Sequence, residues 1–494
     1  MPQATPQLTG IVHLAVVLAG AVASLFLLRF DAELALSIAA GATFYVVLLV
    51  LYRAYRITGD ALNGLSLSMI VMLLLYPFHA VMMRDSPMAL NLLGSERYEY
   101  FTYALLVVIP GVWLMYRGFR SGRPGPISRA VERYSRVIDD HSPTVEKKLV
   151  LLVVIGVAAR ISQVALGTGT YVDLGGDASP GGSSAHFVLD VLSSTTLLVA
   201  LYLLATGAKH GIRRRTVIGG LLILTDSVWG GFFSGSRYLL FLPLLSAAAV
   251  YSATVKPVTL RRLAVIMTLF MMVAFPLATA YKNAYLSRIV ELQRQGLSTS
   301  AVLDSIESTS TTDVTGSWTD LLAQRFHAAT SLALVIRYTP ERHAYMWGQP
   351  YLLLPTDIAI PRIIWPDKPV IRQFTLDFRF DYFKLERGTR TAIKPSQFGE
   401  LWANLNILGV LLGAWVWGRI LRFMYSFLFL GGRGSLFGKA AYATAVPALI
   451  SVMETEQVTG MAFIAKSLVV WLAWTWFLGA RRGIGRTDAP SETI

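Results

Sequence analysis

The sequence predicts an all-α polytopic membrane protein, and three observations carry that prediction. Of the 494 residues, 54% are hydrophobic and only 15% are charged, a balance that water-soluble domains do not keep. The mean hydropathy is +0.53. Apolar runs of roughly eighteen or more residues recur along the whole chain, each long enough to cross a hydrocarbon core of about 30 Å. The absence of cysteine excludes disulfides, thiol nucleophiles, iron–sulfur clusters and cysteine zinc sites.

About twelve spans follow from the runs, at residues 8–28, 32–52, 61–83, 98–116, 148–166, 185–206, 216–233, 237–254, 263–281, 398–420, 436–453 and 458–478. The first run lacks a charged leader and is long enough to span, so a cleavable signal is not expected. Basic residues then sort the connections. Arg53 and Arg56 follow the second span, Arg117, Arg120 and Arg123 the fourth, and Lys209 and Arg213–Arg215 the sixth. Lys256, Arg261 and Arg262 follow the eighth, Arg419, Arg422 and Arg433 the tenth, and Arg481, Arg482 and Arg486 close the chain. The alternate connection 167–184 holds Asp173 and Asp177 with no Lys or Arg. The positive-inside bias therefore places both termini in the cytoplasm and explains most of the net charge of +14. The cytoplasmic connection 117–147 reads as lipid-anchoring charge, with an amphipathic helix around Val131, Tyr134 and Ile138 as the alternative.

Four regions result: spans one to nine over 1–281, an extracytoplasmic segment over 282–397, spans ten to twelve over 398–480, and a cytoplasmic tail over 481–494. The segment 282–397 carries 14 Lys/Arg and 11 Asp/Glu, and a structureless loop of that length is improbable, so it reads as a folded cap. Residues 297–317 are Ser/Thr-rich and read as a linker. Residues 318–338 repeat apolar side chains near a 3.6 period, which predicts a surface or interfacial helix. Pro355 and Pro361 interrupt the apolar stretch 351–365, so a re-entrant or interfacial segment is expected there rather than a span.

Charges within spans are costly and usually face an interior or a wet cavity. Arg160, Asp190 and Asp226 each lie about five or six residues from the outer end of a span, roughly 8–9 Å deep at 1.5 Å per residue. Lys466 lies at a comparable depth, and Arg237 and Glu400 stand at the outer mouth. The belt predicts a cavity open to the outside; the plainer alternative is that Arg160 pins helices by pairing with Asp190 or Asp226. Arg237 reads alternatively as an interfacial arginine, and Glu400 as a carboxylate complementing a helix dipole.

The sequence has no GxxxxGK[ST], HExxH or GxSxG element, no metal-ligand spacing, and no DxD pair in the cap. The cap offers cations instead: Arg325, Arg362, Arg372, Arg379, Arg387 and Arg390, with Lys368, Lys384 and Lys394, interleaved with aromatic residues such as Trp365, Phe374 and Tyr382. Arginine forks suit phosphate, and aromatic faces suit sugars or lipids. Each cation alone also reads as an ordinary solvated charge.

SGSRYLLFLPLL (234–245), a basic turn, one further span, and a long outer segment containing IPRIIWPDKP (360–369) and then FGELWANLNILGVLLG (398–413) together resemble the Wzy-type O-antigen polymerases, the oligosaccharide repeat-unit polymerases. The likeness covers roughly residues 231–422; the earlier spans match only in hydropathy. It implies a GT-C-like glycosyltransferase of the bacterial inner membrane. Such an enzyme moves a glycan block from one undecaprenyl-diphosphate carrier to a second lipid-linked block and releases the lipid diphosphate. It uses no cofactor and no metal, and a chain-length regulator is a conceivable partner. His327 and His343 are each followed by Ala, so the His-Asn pair of the related ligases is missing. Carried over by motif, Arg237 and Arg362 fall on the diphosphate, with Lys368, Arg372 and Arg160 as further candidates. Glu400 is the first choice for the base that takes the acceptor proton, and His327 the second. Arginines would stabilise the leaving group electrostatically. The competing expectations are a transporter for an anionic solute and a non-catalytic scaffold of an envelope polysaccharide complex.

Overall fold

The computed structural model describes residues 6–122, 138, 142–165, 184–234, 237–269, 272, 327–360, 364–365, 368–369, 371, 373–386, 393–426 and 436–479. All regular structure among them is helical. In chain order the helices are α1 (Pro6–Leu27), α2 (Ala32–Thr58), α3 (Gly64–Met83), α4 (Pro87–Leu93), α5 (Arg97–Ser121), α6 (Pro143–Ala165), α7 (Ser184–His210) and α8 (Arg213–Ser234). There follow α9 (Arg237–Thr254), α10 (Leu260–Leu269), α11 (Ala328–Tyr338), α12 (Gln349–Ala359), α13 (Gln373–Asp381), α14 (Gln397–Met424), α15 (Leu436–Ser451) and α16 (Gln457–Leu478).

Six helical stretches among the described residues are long and apolar enough to cross a membrane: Ala32–Thr58, Gly64–Met83, Pro87–Ser121, Leu192–His210, Gln397–Met424 and Gln457–Leu478. The amphipathic alternative around Val131, the linker 297–317 and the tail 481–494 lie outside the described residues.

Local chemistry sets the ends of these helices. Asp31 accepts the Leu34 N–H at 2.9 Å to start α2, and Gly59, at φ 70°, ends it in a left-handed turn. α3 contains a π-helical turn at Leu74–Phe78, where Pro77 supplies no N–H to the ladder. The turn sits where Tyr76 and His79 enter the core, both buried.

The packing centre is the pair α5 and α14. A Cβ on Gly118 would overlap the Trp415 carbonyl, and one on Gly418 would overlap the Met115 carbonyl. The two backbones therefore touch reciprocally, the small-residue contact on which helices in lipid rely because no hydrophobic force drives them together.

Two sequence expectations change here. The described part of the helix expected on the surface, α11, is buried on nearly all sides: nine of its 11 residues are buried. Its small and hydroxylated side chains let other elements close over both faces. Thr330 meets His79 Nε2 at 2.9 Å, and Ser331 donates to the Lys394 carbonyl at 2.8 Å. The tenth span, expected as one helix over 398–420, is broken at Leu405 (φ −146°, ψ 31°) and Asn406 (φ 55°, ψ −145°).

Candidate active site at a broken helix

Ser396 starts α14 by accepting the Gly399 N–H at 3.3 Å. After residue 404 the chain turns so sharply that a Cβ on Gly409 would overlap the Leu401 carbonyl, and one on Gly413 would overlap the Leu401 side chain. The first half thus folds back on the second, bringing together residues that a straight helix would hold roughly 12 Å apart. Asn406 makes the break possible. Its carbonyl oxygen accepts the Ile407 N–H at 2.6 Å, and its amide donates to the Tyr345 hydroxyl at 2.8 Å. The carbonyls exposed at the end of the first half take the backbone N–H groups of Met346 (2.9 Å to Ala403) and Trp347 (3.0 Å to Asn404). The loop before α12 therefore satisfies the polar groups the break exposes, as irregular backbone in a membrane protein must be satisfied.

The inner face of the short first half carries Glu400, 1% exposed. One carboxyl oxygen, Oε2, accepts the backbone N–H of Gln457 at 2.5 Å. Gln457 is the first residue of α16, so Glu400 satisfies a donor at the N-terminus of a different helix, 57 residues on. The other oxygen, Oε1, is buried and has no hydrogen-bond partner of ordinary geometry. The Tyr351 hydroxyl of α12 faces this carboxyl and interacts with it, outside ordinary hydrogen-bond geometry. Burial first, and the Glu400 charge second, push that phenol well above its ordinary range. Glu456, 4% exposed, stands against Glu400 and accepts the Thr459 hydroxyl. Gln397 donates to the Gln457 side chain at 2.7 Å, and its own Oε1 is buried without a partner, as is Asn404 Oδ1. Buried acceptors left open this close together are expensive in a folded protein and mark a place for a ligand or water.

α12 runs beside α16 in the same direction. Tyr351 lies at the level of Glu400 and Gln457, while Asp357 lies at the level of Lys466. The interrupted apolar stretch is thus, over Gln349–Ala359, a helix laid along α16. Asp357 binds Lys466 at 2.6 Å through Oδ2 and Lys368 at 3.2 Å through Oδ1. Lys368 also donates to the carbonyls of Asp357 (3.2 Å) and Ile360 (2.7 Å), closing the C-terminal end of α12. Burial by itself would raise the Asp357 carboxyl, but the two ammonium groups outweigh it and hold it below the ordinary carboxylate range.

A cavity of about 360 Å³ lies between α7, α9, α15 and α16. Thr455 and Thr459 line one end, and Trp471 and Trp474 the other. Through the Thr459 hydroxyl the upper end touches Glu456, and through Glu456 it adjoins Glu400.

The expected site residues fall in different places. Glu400 is at the centre of the polar cluster. Lys368 is 4% exposed and spends its charge and donors on α12 itself, so its expected diphosphate contact has no free donor direction in this arrangement. Arg160 pairs with Asp226, the helix-pinning alternative. His327 precedes α11 with its ring 6.5 Å from His79 and 6.2 Å from Phe383, a second polar locus. Arg237 opens α9, but its side chain lies outside the described residues, as do Arg362, Arg372 and the side chain of Asp190. Tyr351, Glu456, Gln457 and Asp357 were not singled out by the sequence. Glu456 alone had a legible signal, an acidic residue in the short outer connection between two spans.

The model of a family described as a domain of unknown function (DUF8712) matches residues 179–439, more than half of the chain. No curated protein and no solved structure matches.

Proposed function

The chain belongs to the DUF8712 family, and we propose that it is a membrane glycosyltransferase that polymerises lipid-diphosphate-linked oligosaccharide units by block transfer. The reading takes twelve spans with both termini cytoplasmic, residues 282–397 outside, and a bacterial inner membrane as the setting. The observation that carries it is the buried Glu400 carboxyl, held through Oε2 by the Gln457 N–H while Oε1 faces the Tyr351 hydroxyl without an ordinary hydrogen bond. A base needs this arrangement: one oxygen fixed for orientation, the other left for a proton.

In the proposed reaction the acceptor hydroxyl attacks the anomeric carbon of the donor sugar. Its proton passes to Glu400, the bond from the anomeric carbon to the diphosphate oxygen breaks, and the lipid diphosphate leaves with the electron pair. Tyr351 stands where it can donate to the reacting oxygen or to the carboxylate. Arg237 is assigned to the leaving diphosphate because its backbone opens α9, five residues before the cavity-lining Leu242, about 7.5 Å along the axis. Its fork would meet developing negative charge in a site largely shielded from water.

The decisive test is reconstitution of the purified protein with lipid-diphosphate oligosaccharide, reading product length and released lipid diphosphate together. Glu400→Gln should abolish both while leaving the protein folded. A second reading, an anionic-solute transporter, draws on the broken α14, since discontinuous helices flank transporter binding sites. Solute uptake into proteoliposomes without any lipid diphosphate release would select that reading instead.

A further inference from the structure

The cavity follows a single stripe of α16: Thr459, Phe463, Ser467, Trp471 at four-residue spacing, with Val470 and Trp474 beside them. From Thr459 to Trp474 this stripe extends roughly 22 Å, most of the thickness of a hydrocarbon core. No Asp, Glu, Lys or Arg lines it. Three of the seven Ser and Thr residues that line it bond backbone carbonyls of their own helices. Thr195 bonds the Leu192 carbonyl at 2.5 Å, Thr444 the Ala441 carbonyl at 2.7 Å, and Ser451 the Ala448 carbonyl at 2.9 Å. Each spends its donor on a backbone carbonyl. Phe463 is 46% exposed, so the cavity wall continues onto surface facing the bilayer.

We propose that this cavity holds one hydrocarbon chain of a membrane lipid, its head at the Thr455–Thr459 end and its chain running down toward Trp474. The walls carry hydroxyls but no charge, so a phosphate within them would find no cation. A chain finds what it needs, length and carbon. The upper end is framed by the starts of α9 and α16, so a head group there stands between the backbone position of Arg237 and Glu400. The chain assignment is independent of the proposed activity. Only the identity of the lipid rests on it: a polyprenyl diphosphate if the polymerase reading holds, a phospholipid otherwise.

The test is photo-crosslinking of the full-length protein in nanodiscs with two probes, a diazirine-tagged polyprenyl phosphate and a phosphatidylglycerol carrying a diazirine in one acyl chain. Label should map to α16 between Phe463 and Trp474. Filling the cavity with Ser467→Phe, or more gently Ala448→Leu, should reduce it about tenfold or more while labelling of the lipid-facing Leu472 persists as an internal control for folding. Competition by untagged polyprenyl phosphate identifies the polyprenyl source. Efficient labelling by the phospholipid probe with no such competition supports the chain site and counts against the polymerase reading. Label that stays on outward-facing residues and is indifferent to both filling variants overturns the chain site, whatever the activity assay gives.

Discussion

Asp357 and Lys466 meet at 2.6 Å although 109 residues separate them. With Lys368 on the other carboxyl oxygen at 3.2 Å, they fasten α12 to the last span. Asp357→Asn leaves the 3% exposed Lys368 side chain without its counter-charge. Breaking a buried pair in this way costs about 3–5 kcal/mol, which should appear as a lowered midpoint of thermal unfolding in detergent. Lys466→Met removes only one of the two partners and should cost less. The pH dependence has a fixed sign. The Asp357 carboxyl is held low in the folded state, so the contribution is present above its unfolded value of about 3.9 and disappears as pH falls through the folded one. A decline below about pH 4 that Asp357→Asn does not share is the expected signature.

Glu400→Gln keeps an oxygen that can accept the Gln457 N–H, so the fold should survive. A lost base slows single-turnover block transfer on the order of 10²–10⁴-fold. A carboxylate that only capped α16 would instead cost roughly 0.3–1 kcal/mol of stability and spare the chemistry. Arg237→Lys retains the charge but loses the fork and should also lose much of the rate. Measured side by side, turnover and unfolding midpoint separate the two roles of Glu400.

Asn406 holds φ 55°, a conformation glycine adopts freely and β-branched residues resist. Asn406→Gly should lose only the side-chain cap, about 1 kcal/mol. Asn406→Val should lose the cap and add strain of roughly 1–3 kcal/mol. The order of unfolding midpoints, wild type above Gly above Val, checks the break; equal Gly and Val midpoints would refute it.

Activity should persist in excess chelator, because the assigned chemistry rests on arginine and carboxylate side chains. Loss of turnover that Mg²⁺ or Mn²⁺ restores would count against that scheme. Reporter fusions settle the orientation on which it depends, with the fusion after Gly316 expected outside the cytoplasm and the one after Arg214 inside.

Hydropathy located the six membrane-length helices because run length and apolar content are linear properties of a sequence. Glu400 was legible for a similar reason, as a lone carboxylate where polar sequence turns apolar. The break at Asn406 was not, since every residue from Leu401 to Gly413 except the two asparagines reads as uninterrupted span. What makes the turn is tertiary: the Tyr345 hydroxyl and two backbone N–H groups from a distant loop. Lys368 misled for the opposite reason. A basic residue in an outer motif reads as a ligand for phosphate until Asp357 and the Ile360 carbonyl are found around it. Glu456 and Tyr351 acquire meaning only beside Glu400, a proximity no spacing rule encodes.

The glycine contact between α5 and α14 also constrains how the protein is made. Gly118 and Gly418 are synthesised 300 positions apart, and at about 5–20 residues per second the earlier helix waits roughly 15–60 seconds for the partner its bare backbone requires. The Gly64 N–H waits longer still for the Tyr442 hydroxyl, 378 residues on. During that interval the N-terminal helices sit in the bilayer with their closest-packing surfaces uncovered. Assembly must therefore finish after the last spans insert, and premature termination before α14 would yield a chain that is inserted, unfinished and a ready substrate for membrane quality control.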